Sequence, residues 1–271
     1  MKKLFLLSLS IFVLSACATT PTGRSQLMLI SPQKAIASSE QVYLTTVEKF
    51  SSNQQLLTDT PLTKRIQTIT GRLVTVAEAQ FPNSKQWDWS VAVVDDPKVL
   101  NAWCMAGGRM AIYTGIINTL KLSDDEIAQI MGHEISHAVA NHSAERMSRA
   151  MLIHWGLSAT AALAKENELA LKGAALAAKL GLELPNSRTA EWEADRIGME
   201  LAVRAGYDAN AAVSLWQKMN SKGSGKSPPE FLSTHPSAKH RIEILEILVP
   251  QMVALNPDKT LAEVSAIAIA R

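Results

Sequence analysis

The chain has 271 residues, 47% of them hydrophobic, which suits a globular core and excludes a disordered or fibrous protein. It carries 27 Lys and Arg against 25 Asp and Glu, and two of those lysines fall in the first 16 residues. The remainder is close to neutral, so no nucleic-acid partner is expected.

Residues 1–16, MKKLFLLSLSIFVLSA, run from two lysines through an apolar stretch to small residues, the layout of a secretory signal. The end of this segment, LSAC (Leu14 to Cys17), resembles the bacterial lipobox. That resemblance implies acylation of Cys17 and insertion into lipid, and Ala18 after the cysteine implies sorting to the outer membrane, facing the periplasm. Residues 17–30 then read as a lipidated N-terminus and flexible tether. With Cys17 acylated, Cys104 has no partner and is expected as a buried free thiol.

Residues 31–52 and 60–80 read as helices, the second behind the cap-and-proline pattern TDTP. In WDWSVAVVDD, 87–96, Trp87, Trp89, Val91 and Val93 alternate as on a strand. Residues 99–106 and 109–115 read as two more strands about a turn at Gly107–Gly108. The sheet they form is expected to be small and antiparallel. From residue 123 onward the pattern is helical, which makes the fold α+β and mostly helical. The apolar run at 150–164 is shorter than the roughly 20 residues of a membrane span. It is expected within a helical hairpin, 144–180, packed near the active site, with His154 in the core; a membrane-surface or partner-binding role is the alternative.

LSDDEIAQIMGHEISHAVANH opens with Ser123 and Glu126 in a capping-box pattern. His133 and His137, four apart, differ by about 40° in direction on a helix and can grip one zinc ion. Glu134 follows the first histidine and can take a proton from water at that ion; this is the H-E-x-x-H pattern. His142 is expected to be structural, because a continuous helix would point it about 140° away from His137. The third ligand is expected downstream, in NSRTAEWEADRIGMELAVRAGYD, a helix capped by Ser187 or Thr189 and ended by Gly206. There Glu191 completes a two-histidine-one-glutamate set, and Asp195, one turn on, can orient a ligating histidine, with His133 as its partner. Glu193 points about 200° from Glu191 and is not expected at the same metal.

HEISH, EWEADRIG, AGYD and FLSTHPSAKHRI, in this order, resemble the zinc metallopeptidase family of HtpX, Oma-type and CAAX prenyl proteases, and within it the periplasmic lipoprotein branch. The resemblance runs from about residue 30 to 250. It implies a zincin-like domain over 31–250, followed by a C-terminal helical tail, 251–271. It implies one zinc per chain held by His133, His137 and Glu191, with Glu134 as catalytic base. It also implies that Asn101, Ala102 and Trp103 lie on the strand edging the cleft, where substrate adds in β fashion. His235 and Arg241 are candidate oxyanion donors. His235 has two other possible roles: its ring could occupy the fourth zinc position and hold the enzyme latent, or Thr234 and Pro236 around it could simply cap a helix. The expected activity is endoproteolysis of misfolded or unassembled envelope polypeptides. The alternative is a chaperone-like factor, working with outer-membrane assembly machinery, whose protease site is largely latent.

Overall fold

The computed structural model describes residues 17–164, 172–173, 175–176, 184–223, 230–235 and 240–270. The segment read as a signal lies outside them, as does much of the expected hairpin beyond residue 164. β1 (Cys17–Thr19) and β2 (Ser25–Leu27) pair antiparallel, and Gly23 turns between them at φ +90°. This ribbon stands where a flexible tether was expected. Gln26 is buried and donates to Ala140 O at 2.7 Å, and Ile30 N–H reaches Ser148 Oγ at 2.9 Å. The Thr- and Gly-bearing stretch reads as a linker by composition, but its polar groups find partners on the domain.

α1 (Pro32–Ser52) starts behind Ser31, whose hydroxyl accepts from Lys34 N–H, and α2 (Pro61–Gln80) behind a capping box of Thr60 and Thr63. The main sheet has the order β3-β4-β6-β5, where β3 is Leu56–Leu57, β4 Ser90–Val94, β5 Ala102–Met105 and β6 Arg109–Tyr113. β7 (Ala268–Ile269) adds to β4. The hairpin β5–β6 turns through Gly107 and Gly108 at φ +88° and +80°. The sheet is mixed rather than antiparallel, because β4 runs parallel to both β6 and β7. After β4 the chain lays down β5 on the outside and returns as β6 between the two, which forces β6 into β4's direction. All five residues of β4 are buried, as parallel neighbours and two covered faces require. Val91, Val93, Met110 and Ile112 join the main core, while Ala92, Val94 and Ala111 face the other side. α1 covers that side, setting Tyr43 edge-on to Trp103 and Phe50 edge-on to Tyr113. Among the described residues β5 is an edge strand.

The helices that follow are α3 (Thr114–Leu120), α4 (Asp124–Val139), α5 (His142–Ala164), α6 (Leu184–Arg204), α7 (Asn210–Gly223), α8 (Glu230–Thr234) and α9 (Arg241–Val253). α4 runs through the core and is closed by the expected Ser123–Glu126 box. Its largest partner is α6. The two meet backbone to backbone: a Cβ on Gly198 would stand 2.6 Å from His133 N. α6 begins at Leu184, before the expected caps Ser187 and Thr189, and Gly206 follows its end at φ +99°. The tail is not the expected helix. Beyond Val253 it crosses α2 at Gly71, where Ser265 N–H meets Gly71 O, and finishes as β7, its Ala268 N–H donating to Trp89 O. Among the described residues no helix is long and apolar enough to cross a membrane.

Candidate metal centre

α4 sets His133 and His137 one turn apart with their Nε2 atoms 3.1 Å from each other. The close crossing of α6 brings Glu191 onto them, its Oε2 3.4 Å from His133 Nε2 and its Oε1 3.5 Å from His137 Nε2. His235, immediately after α8, adds a fourth donor. Its Nδ1 lies 3.0 Å from both Glu191 oxygens and 3.2 Å from His133 Nε2. The ring stacks on Phe231, with centroids 4.5 Å apart.

Four donors bound at about 2.0–2.1 Å around a tetrahedral ion stand roughly 3.3–3.4 Å from one another. The separations here straddle that value, so the donor set fits a divalent metal. The field of the site asks for positive charge as well. Burial works against protonation of His133, but Asp195 and Glu191 outweigh it and raise its pKa to about 9. Glu191 is held well below the ordinary carboxylate range by His133 and His235 in spite of its burial. Burial, with His133 beside it, keeps His137 neutral. Glu134 is the exception among the carboxylates: burial pushes its pKa up. Its Oε1 is buried and has no hydrogen-bond partner among the described residues, although His235 Nε2 stands 3.3 Å away out of alignment. An acceptor left free in this position suits a group that acts on a reactant rather than one that holds the fold.

Residues 61–249 match the model of Peptidase family M48. The chain is 32% identical over 245 residues to the mitochondrial metalloendopeptidase OMA1 of Bos taurus, covering 87% of this chain and 46% of that protein. To the mitochondrial metalloendopeptidase OMA1 of Arabidopsis thaliana it is 34% identical over 206 residues, 73% of this chain and 41% of that one. To the beta-barrel assembly-enhancing protease of Yersinia pestis it is 28% identical over 205 residues, 72% of this chain and 40% of that one. The chain belongs to peptidase family M48. It spans less than half the length of these relatives. HEISH and EWEADRIG both lie inside the matched residues, and the family resemblance read from them holds.

Around the metal cluster, the structure brings Asp195 to His133, Oδ1 to Nδ1 at 3.0 Å. Arg241 lies buried beside the cluster. Its Nε and Nη2 grip Asp195 at 2.6 and 2.5 Å, and its guanidinium lies 3.5 Å over the Trp216 ring. The fork expected to serve an oxyanion holds the carboxylate that holds His133, and its Nη1 lies 3.4 Å from Glu191 Oε2. The family motif could place Arg241 near the site but could not say which way its fork points.

His142 also differs from expectation. α4 stops at Val139, Asn141 takes φ +57°, and α5 begins at His142. The helix breaks where the sequence was read as continuous, so His142 turns back instead of pointing away. Its Nδ1 lies 2.9 Å from His137 Nδ1, and its Nε2 3.1 Å from Glu193 Oε2. The available signal was Asn141, a residue type that tolerates the left-handed region. Glu193 stays out of the metal cluster as expected but is completely buried. Hydrogen bonds from His142, Thr20, Thr22 and Arg24 overcome that burial and bring its pKa down to about 2.

Asn101, Ala102, Trp103 and Cys104 form one wall of a cleft of about 610 Å³ whose floor includes Glu134, His137, Glu191 and His235. The opposite wall is α5, with Arg149, Ile153 and Leu157. His154, expected in the core, is exposed and lines the same wall. Cys104 is buried and unpaired. A larger groove, about 1130 Å³, lies between the ribbon, α1 and the turn after α2; none of the four metal donors lines it. Pro236 falls outside the described residues, so helix capping there has no structural account.

Proposed function

We propose that the protein is a zinc-dependent endopeptidase that cuts exposed, unfolded stretches of envelope polypeptides. The observation that carries this reading is the convergence of His133, His137 and Glu191 beneath an edge strand, with the free oxygen of Glu134 beside them. Zinc, when bound, supplies the Lewis acidity that polarises a peptide carbonyl and acidifies water. An extended substrate adds to the open side of β5 along Asn101, Ala102 and Trp103, so selection is by unfolded backbone rather than by a side-chain pocket. Glu134, its carboxylate made more basic by burial, accepts the proton of the attacking water and returns it to the leaving amine. Asp195 and Arg241 hold His133 with its Nε2 lone pair toward the metal.

A second reading, favoured by the position of His235 as a fourth donor, is a latent site that opens when His235 withdraws. That fits an assembly factor whose protease acts only on demand. Envelope location and anchoring through acylated Cys17 are supported by the LSAC motif and by resemblance to a relative named for beta-barrel assembly. The test is metal analysis of the full chain together with degradation of an unfolded substrate. One zinc per chain is expected, and Glu134→Gln should keep the metal and lose turnover by several orders of magnitude. Full activity in that variant would refute the role of Glu134; a wild type without metal would refute the zinc reading.

A further inference from the structure

Resting on the metal site just proposed, we infer that the N-terminal ribbon is a working part of that site: through Arg24, Glu193 and His142 it fixes the tautomer and orientation of His137. The argument starts at His142, whose ring touches two partners with different demands. Glu193, paired with the Arg24 guanidinium, accepts, so His142 Nε2–H donates to it at 3.1 Å. With that N–H turned to Glu193, the ring presents Nδ1 to His137 as an acceptor. His137 Nδ1 lies 2.9 Å from it and therefore donates. The lone pair of His137 is then on Nε2, the atom that faces His133 and Glu191. His133 reaches the same tautomer by a shorter route, donating from Nδ1 straight to Asp195.

Glu193 can do this only while it stays in place, and it has no solvent to hold it. Its partners come from the ribbon. Thr22 Oγ1 donates to Oε1, and Arg24 Nε and Nη2 stand 3.0 and 2.9 Å from Oε2. Arg24 is in turn fixed by Glu145, with Nη1 and Nη2 each 2.8 Å from its carboxylate. Gln26, on β2, donates to the same Glu145 and to Ala140 O at the break between α4 and α5. Removing the ribbon's cation would take a partner from two buried carboxylates; Glu145 keeps Arg149 and Gln26, whereas Glu193 is left to hydroxyls and His142, a costly state that is relieved by movement. That movement frees the His142 ring and, with it, His137. The two ligand histidines are thus supported differently. Asp195 and Arg241 lie within the family match at 61–249, whereas Thr22 and Arg24 lie outside it.

The role is one of positioning, so the decisive readout is metal binding rather than rate. Zinc affinity of the full chain is measured by competition with a chelator, and the absorption spectrum of the cobalt-substituted protein reports the geometry of the donors. Arg24→Ala and His142→Phe should each weaken zinc binding by about 10- to 100-fold and alter the cobalt spectrum. The double variant should bind no more weakly than His142→Phe alone, because both substitutions break one chain. Arg24→Lys should recover part of the loss. Thr22→Val, a near-isosteric change, should shift affinity the same way by less. Wild-type affinity and spectrum in folded Arg24→Ala, or additive losses in the double variant, would overturn the inference. If Arg24→Ala does not fold, an unchanged Thr22→Val overturns it instead. Failure of this inference leaves wild-type zinc binding intact, whereas failure of the proposed function shows as a wild type that binds no zinc.

Discussion

Gly198→Ala tests how the fold delivers Glu191 to the histidines. α4 and α6 touch at Gly132 and Gly198, and an added methyl on Gly198 would sit 2.6 Å from His133 N and 2.8 Å from Gly132 C and His133 Cα. Ordinary contact begins at 3.4 Å, so the closest approach is about 0.8 Å short. Every atom it meets is backbone, so no side chain can rotate away. The helices must part, and α6 carries Glu191 two turns from the contact. Metal sites tolerate roughly 0.2 Å in donor distance, so even a fraction of this movement reaches the ligands as a lost or lengthened bond. Alanine's helix propensity returns up to about 1 kcal/mol, against about 1–3 kcal/mol for overpacking. We therefore expect the metal-free variant to lose roughly 0–2 kcal/mol in urea unfolding while zinc affinity falls about 10-fold or more. Gly156→Ala, where nothing lies within 4 Å, is the control and should be neutral or mildly stabilising. A Gly198→Ala protein with raised stability and wild-type zinc affinity would show that the crossing does not set the site.

His235→Ala, under the latent reading, should raise proteolysis of unfolded substrate and self-cleavage while zinc stays bound; a fall of about 10- to 1000-fold would assign the ring to the oxyanion instead. Cys17→Ser should move the protein from the membrane fraction to a soluble one on cell fractionation, and continued membrane retention would sink the lipid anchor. Glu126 closes the cap of α4 and pairs with Lys218 at 2.6 Å; although burial opposes it, these partners lower its pKa. A folded-state pKa below the unfolded value of about 4.3 gives stability that is present above that pH and lost as pH falls through the folded value. Urea unfolding between pH 7 and 3 should therefore be less pH-dependent in Glu126→Gln, which should also cost about 1–3 kcal/mol at neutral pH; an unchanged pH slope would contradict the pairing.

The parts legible in the sequence were those written in short-range spacing. Ser123 and Glu126 closed the helix as their three-residue offset indicates, and His133 and His137 faced one way because four residues make about one turn. The alternation Val91, Val93 gave β4, and the double glycine gave the β5–β6 turn. Alternation carries no information on strand direction, however, so the parallel pairing of β4 with β6 could not be read. The tail was misread because its alanines and leucines favour a helix, whereas Ile267 and Ile269 alternate and the open side of β4 offered backbone partners. The ribbon's role rests on Arg24 and Glu193, 169 residues apart, and no local pattern joins them.

α6 shows why one residue in the site was underestimated. Three of its acids stand at 191, 193 and 195, and a helical projection separates the middle one from its neighbours. In the structure Glu191 contacts both α4 histidines, and Glu193 stands outside the four-residue cluster. It did not follow that Glu193 lay away from the site. A metal ligand has two ring nitrogens, and the second must be held from outside the cluster. Asp195 meets that need for His133 directly, whereas the Nδ1 of His137 is reached only by a carboxylate displaced around the helix, with His142 between them. Under the proposed metal site, one helix thus supplies a ligand and the carboxylate support of both α4 histidines. Its rotation against α4 has to satisfy three constraints at once, and the glycine contact at 132 and 198 is the geometry that allows it.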